Sequence, residues 1–516
     1  MIDFTSTRQQ LSERMAVRFG ATIVANLLRG GFSFVSGILV ARYLGASGFG
    51  DLNFLLGSFA ALSQLLEMGT SPAFYTFISQ RRRGRKFFLF YIGWQSVQFL
   101  ATMLIVGLVL PANVLERIWV GQDRELVLLA FGASFFMTQM WGMVSQLGEA
   151  TRKTVLVQAA AVFQAVAHLV LVAAAVYWNW LTVQTVLGLL IGEYVLLVRV
   201  LGPRLAGPNM THEPGADDEF RVVFREFASY CKPLVGYVWV GFVYTFADRW
   251  MLQQFGGAEE QGFFAVSQQF ANVSLIATVS ILKVFWKEVA EARERRDNAR
   301  VRMLYSTITR GLYFVAAWIS CLLIPYTREI VTGILGSSYE LAWFCLVLMF
   351  LYPIHQTLGQ IQGSFFYASG ETTNYARIGL LMMGVSLPIT YLLLAGLGLG
   401  AVGLAMKMVV LQIVAINLQA FVIARTNGWD YDYGFQGVVL ALLLSLGWAC
   451  KWVSEALFGL AGSFSSPLEA LLLGGGLYIA LSLTILFHFP SLAGLTDDQI
   501  KHMRTVIQRK PSPAVA

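Results

Sequence analysis

The sequence predicts an all-α polytopic membrane protein: about 14 transmembrane helices in two pseudo-symmetric six-helix lobes plus two C-terminal helices. Three observations predict it. Of 516 residues, 56% are hydrophobic, and the mean hydropathy is +0.62. Charged residues make up only 13%, against roughly a quarter in a soluble chain. Long uncharged stretches recur along almost the whole sequence.

Span one, 18–42, follows a polar opening, MIDFTSTRQQLSERMAVRF, with no cleavable signal pattern, so the first apolar stretch stays as a helix. Arg29 sits in its middle, where a lone arginine costs roughly 2.5–3.5 kcal/mol on insertion scales. Helical spacing puts Arg18, Thr22, Asn26, Arg29, Ser33 and Ser36 on one side, and Ile23, Leu27, Phe34 and Ile38 on the other. Such a stripe points at something polar inside the protein, and an anionic headgroup is the natural candidate. The alternative is a buried structural ion pair between Arg29 and Glu67.

Span two, 52–79, carries Asn53, Gly57, Gln64, Glu67 and Ser71 along one side. The run Arg81-Arg82-Arg83-Gly84-Arg85-Lys86 precedes span three, 87–110. It reads as a topology anchor, with a lipid-headgroup or partner patch as the other reading. Spans four to six are 126–148, 154–177 and 181–201. Then comes GPRLAGPNMTHEPGADDEF, a Pro-, Gly- and acid-rich cytoplasmic linker. Span seven, 228–254, carries Tyr237, Tyr244, Asp248 and Arg249. Span eight, 262–288, carries Gln268, Asn272 and Lys283, with Gln261 at its head. Spans nine to twelve are 304–324, 340–368, 376–396 and 400–424. Span ten holds Tyr352, Gln356, Gln360 and Tyr367, and span twelve holds Lys407. Spans thirteen and fourteen, 435–457 and 467–489, close the set. His168 in span five and His355 in span ten read as lone, hydrogen-bonded packing residues. Asp248 and Arg249 either serve the interior or cap the outer end of span seven.

This divides the chain into an N-terminal lobe at 1–202, a cytoplasmic linker at 203–226, a C-terminal lobe at 227–426, two additional spans at 427–490 and a cytoplasmic tail at 491–516. The lobes repeat. YLGASGFGDLNFLLGSF joins spans one and two, and FGGAEEQGFFAVSQQF joins spans seven and eight. Gly45 and Gly50 bound the first turn, and Gly257 and Gly262 the second, at equal spacing. With six spans before the linker, the repeat is parallel, a transporter pattern that places a substrate site between lobes.

Most of the 37 Lys and Arg fall in alternate connections: Arg8, Arg14 and Arg18, the 81–86 run, Arg152 and Lys153, Arg199, Arg204, Arg221, Arg225 and Lys232, the cluster from Lys283 to Arg302, Arg377 and Arg425, and Lys501, Arg504, Arg509 and Lys510. The other connections hold only Arg42, Arg117, Arg124, Arg249, Arg328 and Lys451. By the positive-inside rule both termini are cytoplasmic. The same distribution argues against nucleic acid as a partner. Cys231, Cys321, Cys345 and Cys450 form no metal spacing or disulfide framework. Gly398-Leu-Gly400-Ala-Val-Gly403 matches a dinucleotide fingerprint literally, but it lies between two apolar spans and reads as a tight outward turn. There is no Walker A, H-E-x-x-H or G-x-S-x-G motif, so the chain reads as a non-enzyme with no cofactor and no metal.

ARYLGASGFGDLNFLLGSFAALSQLLEMG resembles the N-terminal signature of bacterial polysaccharide flippases of the multidrug/oligosaccharidyl-lipid/polysaccharide exporter superfamily. DRWMLQQFGGAEEQGFFAVSQQF (Asp248 to Phe270) is similar to the family's repeat of it, and YLLLAGLGLGAVGLAM to its late glycine-rich turn. The resemblance implies transfer of a polyprenyl-diphosphate-linked oligosaccharide across the bacterial inner membrane, for O-antigen, capsule or exopolysaccharide synthesis. It implies a cationic cavity, placing Arg29, Arg249 and Lys407 there; Asn26, Gln64, Gln268 and Asn272, read from the polar sides of their own spans, are the expected polar lining. Partners would be the lipid-linked oligosaccharide, the bilayer and polysaccharide polymerase or export machinery. Without an ATPase motif, drive comes from an ion gradient or from substrate concentration, with Glu67 and Asp248 as ion-coupling candidates. The extra span pair resembles the layout of lipid II flippases. A cation-coupled small-molecule or drug exporter of the same fold is a further reading, and a membrane polymerase or acyltransferase a more distant one.

Overall fold

A computed structural model describes the backbone of residues 4–210, 219–431, 433–460 and 467–494. The side chains of Arg8, Arg14, Arg18 and Lys283, and the tail with Lys501, Arg504, Arg509 and Lys510, lie outside the described residues. The described residues form helices and turns with no strand, and the protein is an all-α polytopic membrane protein. The chain divides into two compact units, 1–265 with 390–400, and 266–389 with 401–516.

The first unit opens with α1, Phe4–Glu67, whose 64 residues are interrupted at Gly45 (φ 70°, ψ 178°). Only glycine adopts that backbone without strain. A second interruption follows Glu67: Met68 has φ 46° and Gly69 φ 85°. α2, Thr70–Gln80, then restarts with Pro72 in its first turn, where a missing N–H costs nothing. Expected span two is therefore broken rather than continuous. The carbonyl of Leu66, at the break, accepts a hydrogen bond of 2.7 Å from buried Gln98 on α3, Arg85–Leu104. This is how an unwound turn is tolerated inside a membrane protein. α4 (Ala112–Ile118), α5 (Arg124–Ser134), α6 (Trp141–Ala150), α7 (Thr154–Tyr177) and α8 (Val183–Met210) follow. A π-helical turn, Phe135–Met140, joins α5 to α6.

Residues 211–218 of the expected linker lie outside the described residues, but its remainder is not loop. Helix α8 runs to Met210, and α9, Phe220–Cys231, is amphipathic. Its buried Val223, Phe227 and Cys231 join an aromatic core with Phe74, Phe87 and Tyr91. Phe74 stacks on Tyr91 at 4.2 Å between centroids, and Phe227 on Phe87 at 5.7 Å. Such contacts contribute ~1 kcal/mol each beyond area burial.

Helix α10, Val235–Glu294, passes from the first unit into the second and is broken at Gly257 (φ 84°, ψ 178°), matching Gly45. The second unit also holds α11 (Asn298–Leu323), the one-turn α12 (Thr327–Ile330), α13 (Trp343–Ala368), most of α14 (Thr372–Tyr391), α15 (Gly400–Asn427), α16 (Gly434–Leu460) and α17 (Pro467–His488). The last two pack against α11. Trp318 Nε1 donates to Ser482 Oγ at 2.7 Å, the Tyr478 hydroxyl to the Trp318 carbonyl at 3.0 Å, and the Tyr313 hydroxyl to the Gln436 carbonyl at 3.0 Å.

Among the described residues, eleven helices are long and apolar enough to cross a membrane, rather than about fourteen. The physical reason lies in the two broken helices. The 46-residue stretch Thr22–Glu67 holds most of expected span one and the first part of expected span two, on either side of Gly45. The 60-residue α10 holds most of expected span seven and all of expected span eight, and it is not among the eleven. The expected tight turn is present: Gly398 and Gly400 both have positive φ, between a π-helical turn, Leu392–Gly396, and α15.

Candidate functional site

In the first unit, α1 is open on two sides. Val24, Leu27, Leu28 and Val35 form an exposed apolar face suited to lipid. On the opposite face Arg29 and Ser33 are exposed, Asn26 is half-buried, and Ser36 is buried, donating to the Ser33 carbonyl at 3.0 Å. Arg29 Nη2 donates to Asn26 Oδ1 at 3.2 Å, which leaves most of its five donors directed outward. Arg29 is also within electrostatic reach of Tyr194 on α8. It forms no ion pair with Glu67 among the described residues, so the structural-pair alternative is not what the fold adopts. Glu67 is half-buried beside the Met68–Gly69 break, and Gln64, one turn earlier, is exposed.

Arg249 has a different environment. Its guanidinium lies directly over Gly57, where any Cβ would overlap it, and Nη1 donates to the Asn53 carbonyl at 3.4 Å. The absence of a side chain at Gly57 makes the seat for this cation. Arg249 thus braces α10 against the second half of α1, where the resemblance implies an open cavity group. Neighbouring Asp248 accepts from Thr390 Oγ1 at 2.8 Å. Both lie eight or more residues inside α10 and are not an end cap of the helix as it forms.

In the second unit, Gln268 is half-buried, Asn272 is exposed and Lys407 is only 2% exposed. Of the expected lining there, Asn272 is open and Lys407 is packed inside α15's surroundings. His355 behaves as expected: it is buried, with Nδ1 3.1 Å from the Leu351 carbonyl one turn back.

His168 is not a lone histidine. Its Nδ1 lies 3.0 and 3.1 Å from the two carboxylate oxygens of Glu193. Gln164 Nε2 donates to Glu193 at 2.8 Å, and the Tyr194 hydroxyl donates to Gln164 Oε1 at 3.4 Å. The His168 and Glu193 side chains are 14% and 8% exposed, on α7 and α8. Sequence reasoning missed Glu193. The available signal was a carboxylate inside an apolar span, which needs a partner. A second missed acid is Asp51, which accepts from Gln122 at 2.7 Å and Gln253 at 3.0 Å. It ties the turn after α4 to α10.

The two glycine turns meet. Gly50 is pressed against the backbone of Ala258 and Gly262, and Gly262 against the backbone of Ala46. Laying Gly45 on Gly257 lays Ala46 on Ala258 and Gly50 on Gly262, so each turn's second glycine abuts the same carbonyl of the other. The contact is reciprocal, as a two-fold repeat requires.

The family described as polysaccharide biosynthesis protein matches residues 18–286, more than half of the chain. The chain belongs to this family. The matched region holds both glycine turns, Arg29 and the Arg249–Gly57 contact. A comparison with curated protein sequences gives no match. Among solved structures, this family member is similar in fold to the lipid II flippase MurJ in an inward closed conformation (TM-score 0.67, 14% identity, 91% of this chain and 99% of that one). It is also similar to the inward-facing conformation of a multidrug resistance MATE family transporter of the MOP superfamily (TM-score 0.57, 14% identity, 80% and 100%). A third is a MOP superfamily transporter from Pyrococcus furiosus Vc1, described as having a binding pocket of reverse polarity (TM-score 0.54, 13% identity, 79% and 95%). At these identities the likeness is one of fold alone, and it is the family match that bears out the resemblance to a polysaccharide family.

Proposed function

We propose that this protein moves a polyprenyl-diphosphate-linked oligosaccharide from the inner to the outer leaflet of a bacterial inner membrane by alternating access, supplying surface polysaccharide synthesis. The observation that carries the reading is Arg29: an outward-directed guanidinium in the middle of a membrane span, on a polar face opposite a lipid-suited one. A diphosphate cannot cross hydrocarbon bare, because burying its charges costs many kcal/mol. A guanidinium replaces lost water with paired hydrogen bonds to phosphate oxygens. In this reading Asn26 orients Arg29, and Gln64 meets sugar hydroxyls. The prenyl tail stays in lipid. Arg249 and Lys407 act on the substrate only indirectly, Arg249 through the position of span two. The lobes at 1–202 and 227–426 rock about the substrate, with both termini cytoplasmic. The fold kinship with MurJ supports a flippase over an enzyme.

Coupling, where present, falls to Glu67 beside the helix break and to Asp248 with Thr390. The broken span favours Glu67, since unwound turns in transporters carry ion and substrate contacts.

The test is flux of a fluorescent polyprenyl-diphosphate oligosaccharide in proteoliposomes. Arg29→Ala is expected to reduce flux at least tenfold with insertion and unfolding temperature unchanged. Arg29→Lys is expected to restore only part of it, because lysine keeps the charge and loses the planar fork. Normal flux in Arg29→Ala overturns the assignment.

A further inference from the structure

The first unit carries a cavity unrelated to Arg29. It has a volume of about 390 Å³ and is lined by Arg81, Arg82, Arg83, Arg152 and Lys153. Three of these come from the run after α2, and two from the turn after α6, so the fold gathers cations about seventy residues apart in sequence. Two of the five are already committed. Arg81 Nη2 and Arg83 Nη1 reach the two carboxylate oxygens of Glu226 on α9, at 2.8 and 2.9 Å. The Arg83 guanidinium also lies 4.9 Å from the Phe87 ring. Lys153 Nζ donates to the Arg204 carbonyl at 3.3 Å. Arg82 and Arg152 are exposed. Glu226 is thus a carboxylate bonded to this lining.

The backbone adds a second observation. Arg152 has φ 61°, the left-handed conformation that favours glycine. It closes α6 in a helix-ending turn, with the Lys153 N–H donating to the Gly148 carbonyl at 2.8 Å. An arginine where glycine fits best points to a use for the side chain.

Apart from Thr151, the rest of the lining is apolar: Ile78, Phe88, Leu147, Ala150 and Leu205. Cations on one side and hydrocarbon on the other match an amphiphile better than a free anion. We propose that this cavity is a binding site for the phosphate headgroup of an anionic phospholipid, held by Arg82, Arg152 and Lys153 while Arg81 and Arg83 stay on Glu226. It lies on the side that the charge distribution makes cytoplasmic, so the lipid comes from the inner leaflet. The site is separate from the proposed substrate path and does not depend on it.

The experiment titrates the full-length protein, in an uncharged detergent, with dioctanoyl phosphatidylglycerol, dioctanoyl phosphatidylcholine or inorganic pyrophosphate, followed by thermophoresis. Phosphatidylglycerol is expected to bind saturably and to weaken with salt, with the other two at least tenfold weaker. Arg82→Ser combined with Arg152→Gly, the glycine chosen to suit the left-handed backbone, is expected to weaken phosphatidylglycerol at least tenfold. Arg85→Ser combined with Lys86→Ser removes equal charge from the same run outside the cavity, and is expected to change binding less than twofold. Equal loss in that control reduces the feature to a diffuse basic surface and overturns the proposal. Phosphatidylcholine binding as tightly makes it an apolar cleft, and pyrophosphate binding as tightly makes it a free-phosphate site; either result overturns it. If the double variant fails to fold, Arg82→Ser alone must weaken phosphatidylglycerol at least threefold for the proposal to stand.

Discussion

Arg29 and Arg249 look alike in sequence, each a cation in or at the edge of an apolar span, and the fold treats them differently. Arg29 has one half-buried asparagine as partner and remains open. Arg249 is laid across a glycine and bonded to backbone. The difference was not legible because it depends on Gly57, nearly two hundred positions away, and hydropathy patterns carry no pairing information. Glu193 escaped for the same reason: its partners Gln164 and His168 lie on another helix. That pair makes a stability prediction. Glu193→Ala leaves His168 and Gln164 without their acceptor in a part-buried site, at a cost of ~1–3 kcal/mol. The variant is expected to unfold several degrees lower in detergent, measured by tryptophan fluorescence, whereas Glu193→Gln keeps shape and an acceptor and is expected to lose less than half as much. Equal losses would show that the carboxylate charge, not the hydrogen bonding, holds the site.

At the scale of elements, apolar length and charge placement located most helices closely. α7 coincides with expected span five, and α16 and α17 fall within a few residues of the last two spans. What length could not show was interruption. The Met68–Gly69 break stands in the sequence as Met-Gly-Thr-Ser-Pro, a glycine stop followed by a proline restart, but an averaged hydropathy window runs straight over it. The glycine turns were legible as a repeated spacing, and their contact with each other was not. Gly50→Ala and Gly262→Ala each place a methyl group into a carbonyl of the opposite turn. Because the obstacle is backbone, neither clash is relieved by a side-chain rotation. Each substitution is expected to cost ~1–3 kcal/mol and to lower folded yield by size-exclusion chromatography. Gly48→Ala, between the glycines of the first turn and facing only the Leu44 side chain, is expected to be tolerated. A Gly50→Ala protein as stable as wild type would mean that the turns do not bear on one another.

For the whole molecule, the family is that of polysaccharide biosynthesis proteins and the fold is all-α and polytopic, and the charge placement predicts the orientation. Reporter fusions at Gly84 and Asp297 are expected to read cytoplasmic, and fusions at Asn113 and Ser337 periplasmic; a reversed pattern would invert the proposed direction of transport. The fusion expected to read cytoplasmic at Asp217 falls outside the described residues. The extra helices α16 and α17 are bonded into the second unit through Trp318, Tyr478 and Lys451. They are part of its core and not a detachable appendage.

The reciprocal seating of Gly50 and Gly262 is the geometry of an isologous interface, the kind two identical subunits make before their genes fuse. In such an interface an insertion in one copy misaligns both contacts at once. The two halves are therefore free to drift in residue identity but not in turn length. Through the family's divergence, the five-residue interval between the glycines is expected to have been inherited as a coupled pair, lengthening in neither half unless it lengthens in both.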